Sequence, residues 1–143
     1  MIVVLMGAPG AGKSTWVRKN KSGFEYIFNT EAVRVNRELD IAAFMGLQRM
    51  KAVKAAEEGK FIIADGTHTI QMHRRFWLNL ADRLCIETKL VVFDTPLQTC
   101  LEVQNNREFP APRKVVVDHH RRMQMAKLHI KREGWGSIEI ITR

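Results

Sequence analysis

The sequence predicts an α/β domain: a doubly wound, mostly parallel sheet of about five strands with helices on both faces. Three observations point there. Short apolar runs rich in β-branched or aromatic residues recur at 2–6, 24–28, 61–64, 90–93 and 138–141. Continuous runs of this kind suit strands buried on both faces of a parallel sheet. Segments of helical spacing separate them, and strand–helix alternation is the pattern of repeated βαβ units. The length, 143 residues with 45% hydrophobic content, fits one domain (1–143) with a proper core.

Each element has a local reason. Residues 13–20 read as the first helix. From about 31 to 58 the spacing is helical with an interruption near Asp40, and Gly59 stops it. Residues 72–83 are amphipathic, with Phe76, Leu80 and Leu84 at spacing four. Thr95 reads as an N-cap, with Pro96 at the first helical position and Gln98 three residues after the cap, for a helix running to about 106. Pro110 and Pro112 make 107–112 a loop, and a further helix is expected from 113 or 114 to about 132.

Charge and cysteine content narrow the function classes. Lys and Arg number 23 against 15 acids, a net +8, with a pI of about 9.9. Such a balance favours an anionic substrate or a polyanionic partner. Cys85 and Cys100 show no metal or redox spacing and read as two buried, reduced thiols. No apolar run reaches the ~18 residues of a membrane span, so the expected setting is cytoplasmic, without a membrane partner. The histidines are scattered, and the adjacent His119 and His120 cannot face one metal from a single helix face.

The first strand is followed by Gly7, Ala8, Pro9, Gly10, Ala11, Gly12, Lys13 and Ser14, then Thr15. This matches G-x-x-x-x-G-K-[S/T] at every fixed position, between a strand and a helix. Glycines let the backbone curl so that N–H groups point inward, and the helix N-terminus adds its positive dipole end. In such a loop the lysine reaches the β- and γ-phosphates and the serine hydroxyl ligates Mg²⁺. A nucleoside triphosphate, with ATP and Mg²⁺ as the expected pair, is therefore the donor candidate.

Acceptor residues are sought after the other strands, because ligands of such sheets bind beyond their carboxyl ends. Glu31 and Arg34, three apart on one helix face, offer a carboxylate to deprotonate a hydroxyl and an arginine for an anionic substrate. The plain alternative is a helix-start acid beside a solvated arginine. Asp65 ends the third apolar run and suits a place beside Mg²⁺ or the acceptor; otherwise it is a turn acid capping Thr67. Asp94 reads as a structural turn. Residues 107–132 hold eight basic side chains against two acids. A lid at about 107–113, with Arg107 closing over the donor phosphates, fits that charge.

Taken together, residues 7–16 (GAPGAGKSTW), Gly23-Phe24, Asn29 with Glu31 and Arg34, Asp65 and Arg107 resemble the kinase domain of phage polynucleotide 5′-kinases. The order of these residues matches over about 1–125. The resemblance implies a P-loop kinase fold with a basic lid and an ATP- and Mg²⁺-dependent transfer of the γ-phosphate to 5′-hydroxyl ends of DNA or RNA, a nucleic acid repair activity. Glu31 then matches the general base, Arg34 an arginine holding the phosphate next to the acceptor hydroxyl, and Arg107 the lid arginine. Four positions depart from that family. Glu31 is one methylene longer than its usual aspartate, Thr30 and Ala32 replace its flanking arginine and aspartate, and Val103 stands where a second lid arginine is expected.

The residues also admit a small-molecule kinase acting on a nucleoside, sugar or antibiotic hydroxyl, and a nucleic-acid-binding protein gated by ATP. Asp65-Gly66-Thr67 ends like a phosphatase motif, but its nucleophile position is Ile63.

Overall fold

The computed structural model describes residues 1–29 and 40–142. Five strands form one sheet: β1 (Ile2–Met6), β2 (Tyr26–Asn29), β3 (Ile62–Asp65), β4 (Thr88–Asp94) and β5 (Ser137–Thr142). Their order is β2-β3-β1-β4-β5, and every pairing is parallel. From β1 the chain goes to the edge strand β2, returns to β3 beside β1, and then crosses to β4 and β5 on the other side. This reversal opens a crevice at the carboxyl ends of the central strands.

Among the described residues the helices are α1 (Lys13–Asn20), α2 (Ile41–Glu57), α3 (Gln71–Leu84), α4 (Leu97–Asn105) and α5 (Arg113–Ala126), followed by a single 3₁₀ turn at Ile130–Arg132. The first strand shows why both faces must be covered. Ile2, Val4 and Met6 point to one side, where Ala52, Ala55 and Ala56 of α2, Trp77 of α3 and Met123 of α5 meet them. Val3 and Leu5 point to the other, against Cys100 and Leu101 of α4, with Trp16 and Val17 of α1 alongside. All five β1 residues are buried, and each large aliphatic contributes about 1.5–3 kcal/mol by leaving water.

Several local expectations change in the tertiary setting. Asp40 ends the interruption as the N-cap of α2, accepting a hydrogen bond from the Ala43 N–H at 3.1 Å. Thr95 does not cap α4. Its buried hydroxyl donates to the Ala11 carbonyl at 2.7 Å, and α4 begins after Pro96 instead. The last helix stops at Ala126, short of 132. Beyond it Glu133 turns inward to the buried Arg74, whose Nε and NH2 grip both its carboxylate oxygens at 3.0 and 2.7 Å. Trp135 Nε1 donates to the same carboxylate. Cys100 is buried as expected, whereas Cys85 is exposed at the left-handed C-cap of α3. Asp94 is structural, held by Lys127 at 2.5 Å and Gln124 at 2.9 Å.

Candidate functional site

The loop of residues 7–14 leaves β1 at the sheet's carboxyl edge. Its curl is enforced by space as well as by φ. At Gly10, φ is +86° and a Cβ would stand 2.6 Å from the Cys100 carbonyl oxygen. At Gly7 a Cβ would stand 2.9 Å from that of Phe93, so neither position accepts a side chain without displacing α4 or β4. The Lys13 ammonium donates to the Gly7 and Ala8 carbonyls at 2.8 and 2.7 Å, which folds its charge back over the loop. The neighbouring connections brace it. Gly7 N–H donates to Thr67 O, and the Thr95 hydroxyl holds Ala11.

His68, one of the scattered histidines of the sequence, is the buttress behind this edge. Trp77 Nε1 donates to His68 Nε2 at 3.0 Å. An indole N–H can only donate, so Nε2 accepts and the proton sits on Nδ1, which donates to Leu5 O at 2.8 Å. Burial is the main cause that lowers its pKa from 6.5 to about 4. The ring is thus a neutral spacer joining β1 to α3. His119, half-buried on α5, pairs with the Thr69 hydroxyl at 2.7 Å. Its pKa is lowered first by burial and then by the nearby positive charges of Arg122 and Lys13.

A single cleft of about 910 Å³ brings the candidates together: Pro9, Gly10, Lys13 and Ser14 from the loop, with Asp65 and Arg107. Asp65 closes β3 and accepts from Asn29 Nδ2 at 3.3 Å. Arg107 is half-buried at the start of the loop between α4 and α5. The cleft is also lined by the apolar Phe28, Met45, Met72, Phe76 and Trp77, with Arg49 and His73 among its polar residues. Ring packing sets that apolar lining, with Trp77 edge-on to both Phe28 and Phe76 at centroid distances of 5.0 and 4.9 Å.

Other candidates fall elsewhere. Gly7, Ala8 and Ala11 are buried behind the loop, contributing backbone. Gly12 caps α1 without lining the cleft, and Thr15 accepts a hydrogen bond from Arg18 outside it. Glu31 and Arg34 lie outside the described residues.

A phosphate loop at the switch point of a parallel five-stranded sheet, facing a cleft under a basic connection, defines an α/β fold of the P-loop kinase type. The chain belongs to the AAA domain family, whose model matches residues 2–129. No curated protein matches its sequence. Among solved structures it is similar to deoxyadenosine kinase from M. mycoides with bound dATP, at a TM-score of 0.62 and 15% identity, covering 99% of this chain and 91% of that one. It is also similar to the APS kinase of Mycobacterium tuberculosis in complex with AMPPNP and APS, at a TM-score of 0.52 and 21% identity, covering 73% and 68%. At these identities the likeness is one of fold. No helix among the described residues is long and apolar enough to cross a membrane.

Proposed function

We propose that the chain is an ATP-dependent kinase that transfers the γ-phosphoryl group to a hydroxyl of a small molecule with a flat or apolar body, a nucleoside foremost. The observation that carries this reading is the continuity of the cleft. Phosphate-loop residues, Asp65 and Arg107 line the same cavity as Phe28, Met45, Met72, Phe76 and Trp77. An aromatic and methionine chamber of this size recognises a compact ring by packing. Two neighbours in fold carry names of kinases whose acceptors are small, deoxyadenosine and APS.

The roles follow from charge and position. Backbone N–H groups of 10–14 cradle the phosphates with Lys13, and Arg107 neutralises charge on the transferred group. Glu31 takes the acceptor proton, and Arg34 offers hydrogen bonds to the acceptor's polar groups, or to an anionic group where the acceptor carries one. Ser14, exposed on the first turn of α1, and Asp65 offer the hard oxygen donors that Mg²⁺ takes. When bound with the nucleotide, the ion supplies further neutralisation of the phosphate charge. Catalysis is then mostly positioning and electrostatics.

A second reading keeps the polynucleotide 5′-hydroxyl as acceptor. The observation favouring it is that Pro112 and Val115 rim the cleft while the neighbouring Arg113 and Lys114 are exposed.

One experiment separates these readings: ATP labelled in the γ-phosphate, Mg²⁺, and a panel of nucleosides, sugars and aminoglycosides beside 5′-hydroxyl and 5′-phosphorylated oligonucleotides. Label on a small hydroxyl compound, abolished by Glu31→Ala, is the expected result. Label only on the 5′-hydroxyl strand puts the second reading first. ATP bound but no label on any acceptor overturns both and leaves the ATP-gated binding protein.

A further inference from the structure

A second concavity, of about 520 Å³, lies between α3, α5 and the 3₁₀ turn, and the kinase reading makes no use of it. Arg74, Arg75, Arg121, Arg122, His129 and Arg132 converge on it from these three elements. Its one carboxylate, Glu133, is already gripped by both arms of Arg74 and by Trp135. The remaining arginines are largely unneutralised. Arg121 reaches Asp118 only at 3.8 Å with its side chain 73% exposed. Arg122 and Arg132 have no carboxylate within ion-pair distance among the described residues, and Arg75 feels Glu133 only through space.

Holding four guanidinium groups around one hollow costs self-repulsion that an anion relieves. Arginine forks match phosphate oxygens two at a time. The hollow also has an apolar side, Met125 and Ala126, against which a ring can lie. Its volume is that of a small-molecule site, and four exposed arginines line this one concavity. We propose that it is a second binding site for a small, phosphate-dense ligand of nucleotide size, separate from the phosphate loop. The two cavities share a wall, since Thr69 lines this one and its hydrogen-bond partner His119 lines the catalytic cleft.

Calorimetric titration with tripolyphosphate tests the proposal. The wild-type chain is expected to take two equivalents and Lys13→Ala one. On the Lys13→Ala background, Arg122→Ser with Arg132→Ser should weaken the remaining equivalent by roughly tenfold or more. Both arginines are exposed, and an unchanged thermal unfolding curve excludes misfolding as the cause. Arg122→Lys with Arg132→Lys should recover part of the affinity. One equivalent in the wild type and none in Lys13→Ala overturns the site, as does binding indifferent to the arginine changes. So does an affinity that climbs with oligonucleotide length and resists competition by tripolyphosphate, which would mark a nucleic acid track. None of these readouts depends on phosphoryl transfer, so the kinase reading stands or falls separately.

Discussion

Because its two ring nitrogens are committed, one donating to Leu5 and one accepting from Trp77, His68 cannot take a second proton without breaking a buried bond. Its folded pKa of about 4 lies below the ordinary 6.5, so between these values the unfolded chain binds the proton more readily. The contribution is fully present above pH 6.5 and is lost as pH falls towards 4, on the order of 3 kcal/mol in all. His73 and His119 shift in the same direction, so the effect is read as a difference. His68→Asn keeps a donor near Leu5 and suits the local φ of +46°. Melting temperatures measured from pH 7 to 4 should fall less steeply for this variant than for the wild type; parallel curves would clear His68. Thr95→Val makes a sharper point about the loop. It strands the Ala11 carbonyl and should cost about 1–3 kcal/mol by urea denaturation, with weaker ATP binding alongside. Local sequence rules read Thr95 as a cap because its neighbours fit one. The carbonyl it serves is far away in the chain, and no local pattern registers that.

Among the elements, α3 depends most on one polar contact. Arg74 and Glu133 are each 3% exposed at their side chains, and the pair ties α3 to the segment entering β5. Glu133→Gln leaves a guanidinium buried without its counter-charge, which should cost about 3–5 kcal/mol in denaturant unfolding. Replacing both partners, with Arg74→Met and Glu133→Leu, should recover most of that loss. An equal loss in both variants would mean that packing volume, not charge, is what matters there. Helix positions were largely legible from spacing and from Gly59 and Pro112, since these signals act within a turn or two. The end of α5 was not, because the chain leaves the helix to bring Glu133 inward, and helical periodicity carries no trace of a partner on α3.

At the scale of the molecule the sheet is unevenly protected. β1 is buried along its whole length, while Ser137, Glu139 and Ile140 of edge strand β5 are exposed. Native-state hydrogen exchange should find β1 amides opening only with global unfolding and β5 amides opening locally at lower free energy. Equal protection in both strands would contradict this ordering. The α/β class and the phosphate loop were readable because each rests on contiguous residues. The aromatic chamber was not, as Phe28, Met45, Met72 and Phe76 come from three elements and each looks like ordinary core in isolation. That chamber is what moves a small acceptor ahead of the polynucleotide that the acceptor-side residues first suggested.

The placement of β1 at the sheet's centre also bears on how the chain is made. It is synthesised before both strands it pairs with, since Ile2 meets Ile62 on one side and Thr88 on the other. The loop that follows it is braced by Thr95, a residue synthesised later still. Until β3 has been made, β1 is an apolar strand without a neighbour, and long-range parallel pairing of this kind is slow. The brace on the loop is complete only after β4 and the turn beyond it have been made.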